Sequence, residues 1–202
     1  MPKMGVYTKA DADADIAVHA ADIDVHMRDF LQLLRTGEYL GYPFSRGSTD
    51  LGISANVLYA SPLYIARNLT IDRIAINVSA AGAAGTKGRL GIYKTGTNLY
   101  PGALLKDYDL VNVDGIAVVY AAADQALTEG LYFFALVSNG APSIKTLYSS
   151  WAAMGVLSTD LLSANGAWSV AFTYAALPNP FTAGGAFLNH TPIILPRVKS
   201  LD

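Results

Sequence analysis

The sequence predicts an all-β protein, a jelly-roll-like antiparallel β-sandwich preceded by an N-terminal helical arm. Three observations carry this expectation. Beyond Gly52, short Val/Ile/Leu/Tyr runs follow one another. Gly, Pro, Asn and Asp separate them at regular intervals, with no helical periodicity in between. Ahead of residue 50, by contrast, apolar residues recur at helical spacing among aspartates. The chain of 202 residues is therefore read as an arm, residues 1–50, and a β-sandwich domain, residues 51–202.

In the arm, Ile16, Ile23 and Phe30 fall at the a positions of a heptad repeat, and His19, His26 and Leu33 at its d positions. Asp15, Asp22 and Asp29 fall at g, while Ala20, Met27 and Leu34 widen the apolar stripe at e. A short parallel helix bundle between copies of the chain needs this pattern. A single amphipathic helix packed on its own domain shows a similar stripe, so both readings stand. The candidate oligomerisation residues are Ile16, His19, Ile23, His26, Phe30 and Leu33. In a bundle His19 and His26 would each form a ring of imidazoles, which the flanking aspartates bias toward the protonated form. No metal is assigned to them, because a histidine buried in a helical core is more often satisfied by hydrogen bonds.

The β domain reads strand by strand. Residues 56–59 and 63–65 flank Ser61-Pro62, and Pro62 cannot donate to a central ladder. In residues 69–78, Ile74, Ile76 and Val78 alternate with Ala75 and Asn77, a half-buried pattern. A loop of small residues, 79–88, leads to a strand at 89–93, and Gly96, Asn98 and Pro101-Gly102 mark a turn. Further strands are expected at 104–113, 116–123, 130–138, 144–154, 168–175 and 193–198. Residues 131–137, Leu-Tyr-Phe-Phe-Ala-Leu-Val, are apolar on both faces and mark a central strand.

Composition closes several functional classes. Fourteen Lys+Arg against sixteen Asp+Glu give a net charge of −2, which offers no basic face for nucleic acid. The longest apolar run, residues 116–123, is too short to span a bilayer, and the acidic start of the arm leads us to expect no cleaved leader peptide. There is no cysteine, which removes disulfides and thiol chemistry. Charged residues make up 15 %, against roughly 25 % in ordinary soluble domains, and mean hydropathy is +0.30. A chain so poor in charge is expected to cover part of its surface with partners.

Catalytic patterns are thin. No Gly-x-Ser-x-Gly elbow occurs, and residues 82–88 lack the Gly-Lys-Ser/Thr ending of a phosphate loop. Asp107 and Asp109 are spaced like paired carboxylates but sit beside Lys106, as solvated edge residues would. A triad in the β domain would have only His190 to use. The chain is read as a non-enzyme with no cofactor. Tyrosine and tryptophan, 12 and 2 residues, suit carbohydrate stacking and protein contact alike. Tyr100, Tyr148, Trp151 and Trp168 are the ligand-binding candidates, with filling of the sandwich core the alternative for both tryptophans.

Four segments form an ordered series: Leu69-Thr70-Ile71-Asp72-Arg73-Ile74, Arg89-Leu90-Gly91-Ile92-Tyr93, Tyr100-Pro101-Gly102-Ala103-Leu104-Leu105 and Leu127-Thr128-Glu129-Gly130-Leu131-Tyr132-Phe133. With Arg35-Thr36-Gly37-Glu38-Tyr39 ahead of them, they span residues 35–140. The series resembles β-sandwich proteins of tailed-bacteriophage virions, namely fibre, tail and minor structural proteins. The resemblance implies a virion location, a homotrimer anchored by its arm to other virion proteins of capsid, neck or tail, and an outward-facing sandwich. A short head or tail fibre and a capsid decoration protein both fit, since the chain has no extended shaft. The alternative is a carbohydrate-binding protein for host attachment. The family brings no catalytic motif, so no residue role is carried over from it.

Overall fold

The computed structural model describes residues 9–10, 12–18, 34–42, 48–147, 156–157 and 164–201. The chain divides into two compact units, Met1–Leu33 and Leu34–Asp202. In the first, residues 9–10 and 12–18 are helical. Lys9 and Asp13, one turn apart, form an exposed ion pair of 2.8 Å, a contact worth only a few tenths of a kcal/mol. Ile16 is 66 % exposed within that helix. His19, Ile23, His26, Phe30 and Leu33 lie outside the described residues.

Alternating apolar residues build the second unit. Its strands are β1 (Ser48–Gly52), β2 (Val57–Ile65), β3 (Leu69–Ala80), β4 (Lys87–Thr95) and β5 (Pro101–Asn112). They continue with β6 (Ala117–Leu127), β7 (Gly130–Ser138), β8 (Ser143–Leu147), β9 (Val156–Leu157) and β10 (Ala164–Asn165). The last are β11 (Ala167–Ala171), β12 (Ala186–Leu188), β13 (Thr191–Pro192) and β14 (Leu195–Leu201). The strand positions expected from the sequence hold with adjustments. Pro101-Gly102, expected in a turn, opens β5, and of the run expected at 144–154 only residues 144–147 are described, on β8, with 148–154 outside the described residues. Residues 56–59 and 63–65 join into one strand, β2, and the run at 168–175 ends as a strand at Ala171.

Pairing defines the topology. β1 pairs with β8, β2 with β7, β3 with β6 and β4 with β5, all antiparallel. That is the pairing of one long hairpin. Its stem rolls up so that β8 also meets β3 and β7 also meets β4. Two sheets result, with orders 1-8-3-6 and 2-7-4-5, the double Greek key of a jelly roll. β14 adds to the first sheet beside β3, while β11 and β12 extend the second beyond β2. β9 and β10 form a separate two-stranded ribbon.

Pro62 is accommodated by this arrangement. β11 accompanies β2 only as far as Ala60, so at Pro62 the strand has β7 as its ladder neighbour and the missing N–H costs no bond on the other side. Residues 34–42 also belong to the β unit, ahead of the composition break near residue 50. Leu40 is buried in the core, its N–H donates to the Pro196 carbonyl, and Tyr39 bridges to Arg197 on β14.

The core has two layers. Between the sheets, Ile71, Ile74, Ile76 and Val78 of β3 pack against Leu90 and Ile92 of β4 and Phe134 and Leu136 of β7. Phe133, Ala135 and Val137, the alternate residues of β7, point to the opposite face and are also fully buried. They are covered by the segment following β11, which contributes Leu177 and Phe181. The apolar-on-both-faces reading of residues 131–137 is thus explained by a second, smaller core outside the sandwich.

Candidate functional site

The covering segment, residues 172–185, is held to the second sheet by side-chain hydrogen bonds, while Asp107 Oδ1, Arg89 Nε and the Tyr174 hydroxyl have no hydrogen-bond partner among the described groups. Asp107 Oδ2 accepts from the Leu177 N–H at 3.0 Å and from Arg89 Nη1 at 2.8 Å. The Tyr93 hydroxyl donates to the Pro178 carbonyl at 2.9 Å, and burial, with the Asp107 charge, pushes that phenol well above its ordinary range. Asn179 Oδ1 accepts from the Leu104 N–H, and the Asn56 side-chain oxygen from the Tyr174 N–H. Asp107 is therefore a half-buried anchor for Arg89 and this strap rather than a solvated edge carboxylate.

Where the strap meets the turn before β5 and the β11–β12 hairpin, aromatic rings converge. The Tyr100 and Trp168 centroids lie 4.6 Å apart, edge to face. Trp168 stacks on Phe187, its cross-strand partner in the β11–β12 pair, at 3.8 Å. Phe181 meets Tyr100 and Tyr93 edge to face at 5.6 and 5.2 Å. Such pairs add about 0.5–1.5 kcal/mol each beyond their buried area. The result is an apolar shelf of packed rings on the rim of the second sheet.

The polar handles of the shelf are spent internally. The Tyr100 hydroxyl donates to the Thr182 carbonyl at 2.6 Å and accepts from the Gly185 N–H at 2.9 Å. Trp168 Nε1 donates to the Leu99 carbonyl at 2.8 Å. To present that carbonyl, Asn98 and Leu99 both adopt left-handed backbone, with φ of 52° and 56°. For leucine this conformation costs on the order of 1 kcal/mol. What the shelf offers outward is apolar: Phe187 is 41 % exposed and Leu99 38 %.

Two of the four ligand-binding candidates, Tyr100 and Trp168, come together here, both half-buried. Tyr148 and Trp151 lie outside the described residues. Trp168 packs at the margin of the outer core, not between the sheets. Sequence reasoning missed Phe187, Leu99 and Phe181. Phe187 follows Gly184-Gly185-Ala186 and has no periodic neighbours to mark it, so only its register opposite Trp168 gives it meaning.

His190 sits half-buried between β12 and β13, with Nδ1 lacking a hydrogen-bond partner among the described groups. Among the described residues no three His, Cys, Asp or Glu gather as a metal site, and no helix is long and apolar enough to cross a membrane. No protein-family model matches the chain, and no curated protein or solved structure matches it.

Proposed function

We propose that the chain is a structural protein of a tailed-bacteriophage particle, a short trimeric head or tail fibre or a capsid decoration protein, acting by assembly. The observation that carries this reading is the division of labour along the chain. An acid-flanked heptad segment falls in a unit of its own, Met1–Leu33, ahead of a jelly roll that covers one of its faces with its own strap. The ordered series that resembles virion proteins falls on β3, β4, the start of β5, and the β6–β7 turn with β7, the frame of the roll. Mass spectrometry of purified particles of the parent phage should find the chain at a fixed copy number. Its absence from particles that infect normally refutes the reading.

The aromatic shelf favours a second reading, attachment to a host-surface glycan. A flat, preorganised ring pair with its polar groups already satisfied suits stacking against the apolar face of a sugar. Binding to a glycan array that Phe187→Ala weakens at least tenfold, with thermal unfolding little changed, supports it. Undiminished binding by that variant removes the shelf from recognition.

A further inference from the structure

The open edges of the jelly roll are not equally protected. β1 is 5 residues long and carries Asp50, ion-paired to Lys145. β12 has only 3 residues. β5 is interrupted by three register shifts against β4 and carries Lys106 and Asp107. Short length, charge and bulges are the devices that keep a strand edge from accepting another strand.

β6 differs. It runs for 11 residues and, among the described strands, pairs on one side only, with β3. Its irregularity and its one charged residue, Asp124, both fall in its C-terminal half. Residues 117–122, Ala-Val-Val-Tyr-Ala-Ala, pair in unbroken register with Val78 to Arg73 and contain no charge, proline or glycine. Val118 is 58 % exposed and Tyr120 51 %, with Ile116 next to them at 73 %. The Arg73 guanidinium lies 4.3 Å over the Tyr120 ring, a cation–π contact. The open half of this edge is uncharged, β-prone and regular.

We propose that β6 pairs antiparallel with β6 of a second copy, joining two first sheets into one continuous sheet. Charge selects a like copy as occupant. The edge carries no formal charge over 117–122, so the two strands themselves meet without repulsion, and each nearby cation has a carboxylate at ion-pair distance, Arg73 and Arg197 sharing one. Arg197 and Arg73 face Asp72, and Lys199 pairs with Asp124. Register selects the geometry. Val119 and Ala121 face the core side and Val118 and Tyr120 the open face. Directly opposed residues share a face, so a two-fold centred on Val119 sets Val118 against Tyr120 of the second copy, twice over. This contact lies in the β unit and goes beyond the arm association of the preceding section.

Light scattering and sedimentation of the full chain over a dilution series read both contacts separately. A two-fold contact requires an even number of copies in the native chain, and Val118→Lys, at a solvent-exposed position, is expected to halve that number with far-UV circular dichroism unchanged. Ile23→Asp addresses the arm alone: if the arm also associates, this variant falls to a dimer and the double variant to a monomer. An odd number of copies in the native chain, or a number that Val118→Lys leaves unchanged, overturns the β6 contact. A number that Ile23→Asp leaves unchanged overturns the arm contact and leaves the β6 result standing. Should Val118→Lys fail to fold, hydrogen exchange of the native chain decides. The amides of residues 117–122 directed away from β3, protected at high concentration and released on dilution, support pairing; exchange of those amides that ignores concentration overturns it.

Discussion

Gly91→Ala probes the seating of the strap on the second sheet. A Cβ at this position in β4 would lie 2.2 Å from Leu177 Cδ1 and 2.9 Å from the Lys106 carbonyl oxygen. Ordinary carbon contacts lie at about 3.5–4.0 Å, so Leu177 must retreat by more than about 1 Å. It has little freedom to do so. Its side chain is buried, its N–H is bonded to Asp107, and the next carbonyl accepts from Tyr93. The Lys106 carbonyl is backbone and cannot rotate away. Overpacking of this kind costs about 1–3 kcal/mol. At roughly 2–4 °C per kcal/mol for a domain of this size, a 2 kcal/mol loss lowers Tm by about 4–8 °C. Leu177→Ala alone is expected to cost about 2–5 kcal/mol, the range for a leucine lost from a buried site. In the double variant the new methyl occupies part of the space the leucine leaves, so the two costs should fall short of their sum by about 1 kcal/mol. Denaturant unfolding of the four chains completes the cycle. Strict additivity, or a Gly91→Ala chain as stable as the native one, would refute the packing of the strap described here.

Two further outcomes follow from the same contacts. Tyr100→Phe keeps the ring stack but leaves the Gly185 N–H and Thr182 carbonyl without their partner, so it should cost about 1–2 kcal/mol with near-UV circular dichroism preserved; an unchanged unfolding midpoint would show that the hydroxyl is not engaged. Asp72, held below the usual carboxylate range chiefly by its hydrogen bonds to Arg197, contributes stability that is present above the unfolded pKa of about 3.9 and fades as pH falls through the lower folded value. The stability difference between the native chain and Asp72→Asn should therefore be full at pH 5 and shrink toward pH 2, and a difference independent of pH would remove the ion pair from the account.

Much of the frame was legible because strands report their burial locally. The alternation of Ile74, Ile76 and Val78 marks a half-buried strand whatever its neighbours are, and β3 lies there. The doubly apolar run at residues 131–137 requires cover on both faces, and β7 has it. Gly91 within a strand signals a close approach, although nothing in the sequence says that Leu177 makes it, some eighty positions later. Residues 34–42 lack strong periodicity, and only their hydrogen bonds to β14 reveal that they belong with the β unit.

The candidate site was half legible. Tyr100 and Trp168 stand out by residue type, but their hydroxyl and indole N–H reach partners at Thr182, Gly185 and Leu99 that no local pattern connects to them. The chain by itself determined where strands form and which faces are apolar, because side-chain periodicity acts within a few residues. Only the tertiary structure decided which edges stay open and which aromatic rings meet. Both depend on pairings between distant segments: the rolling of one hairpin leaves β6 paired on one side only among the described strands, and the register of β11 with β12 sets Phe187 on Trp168.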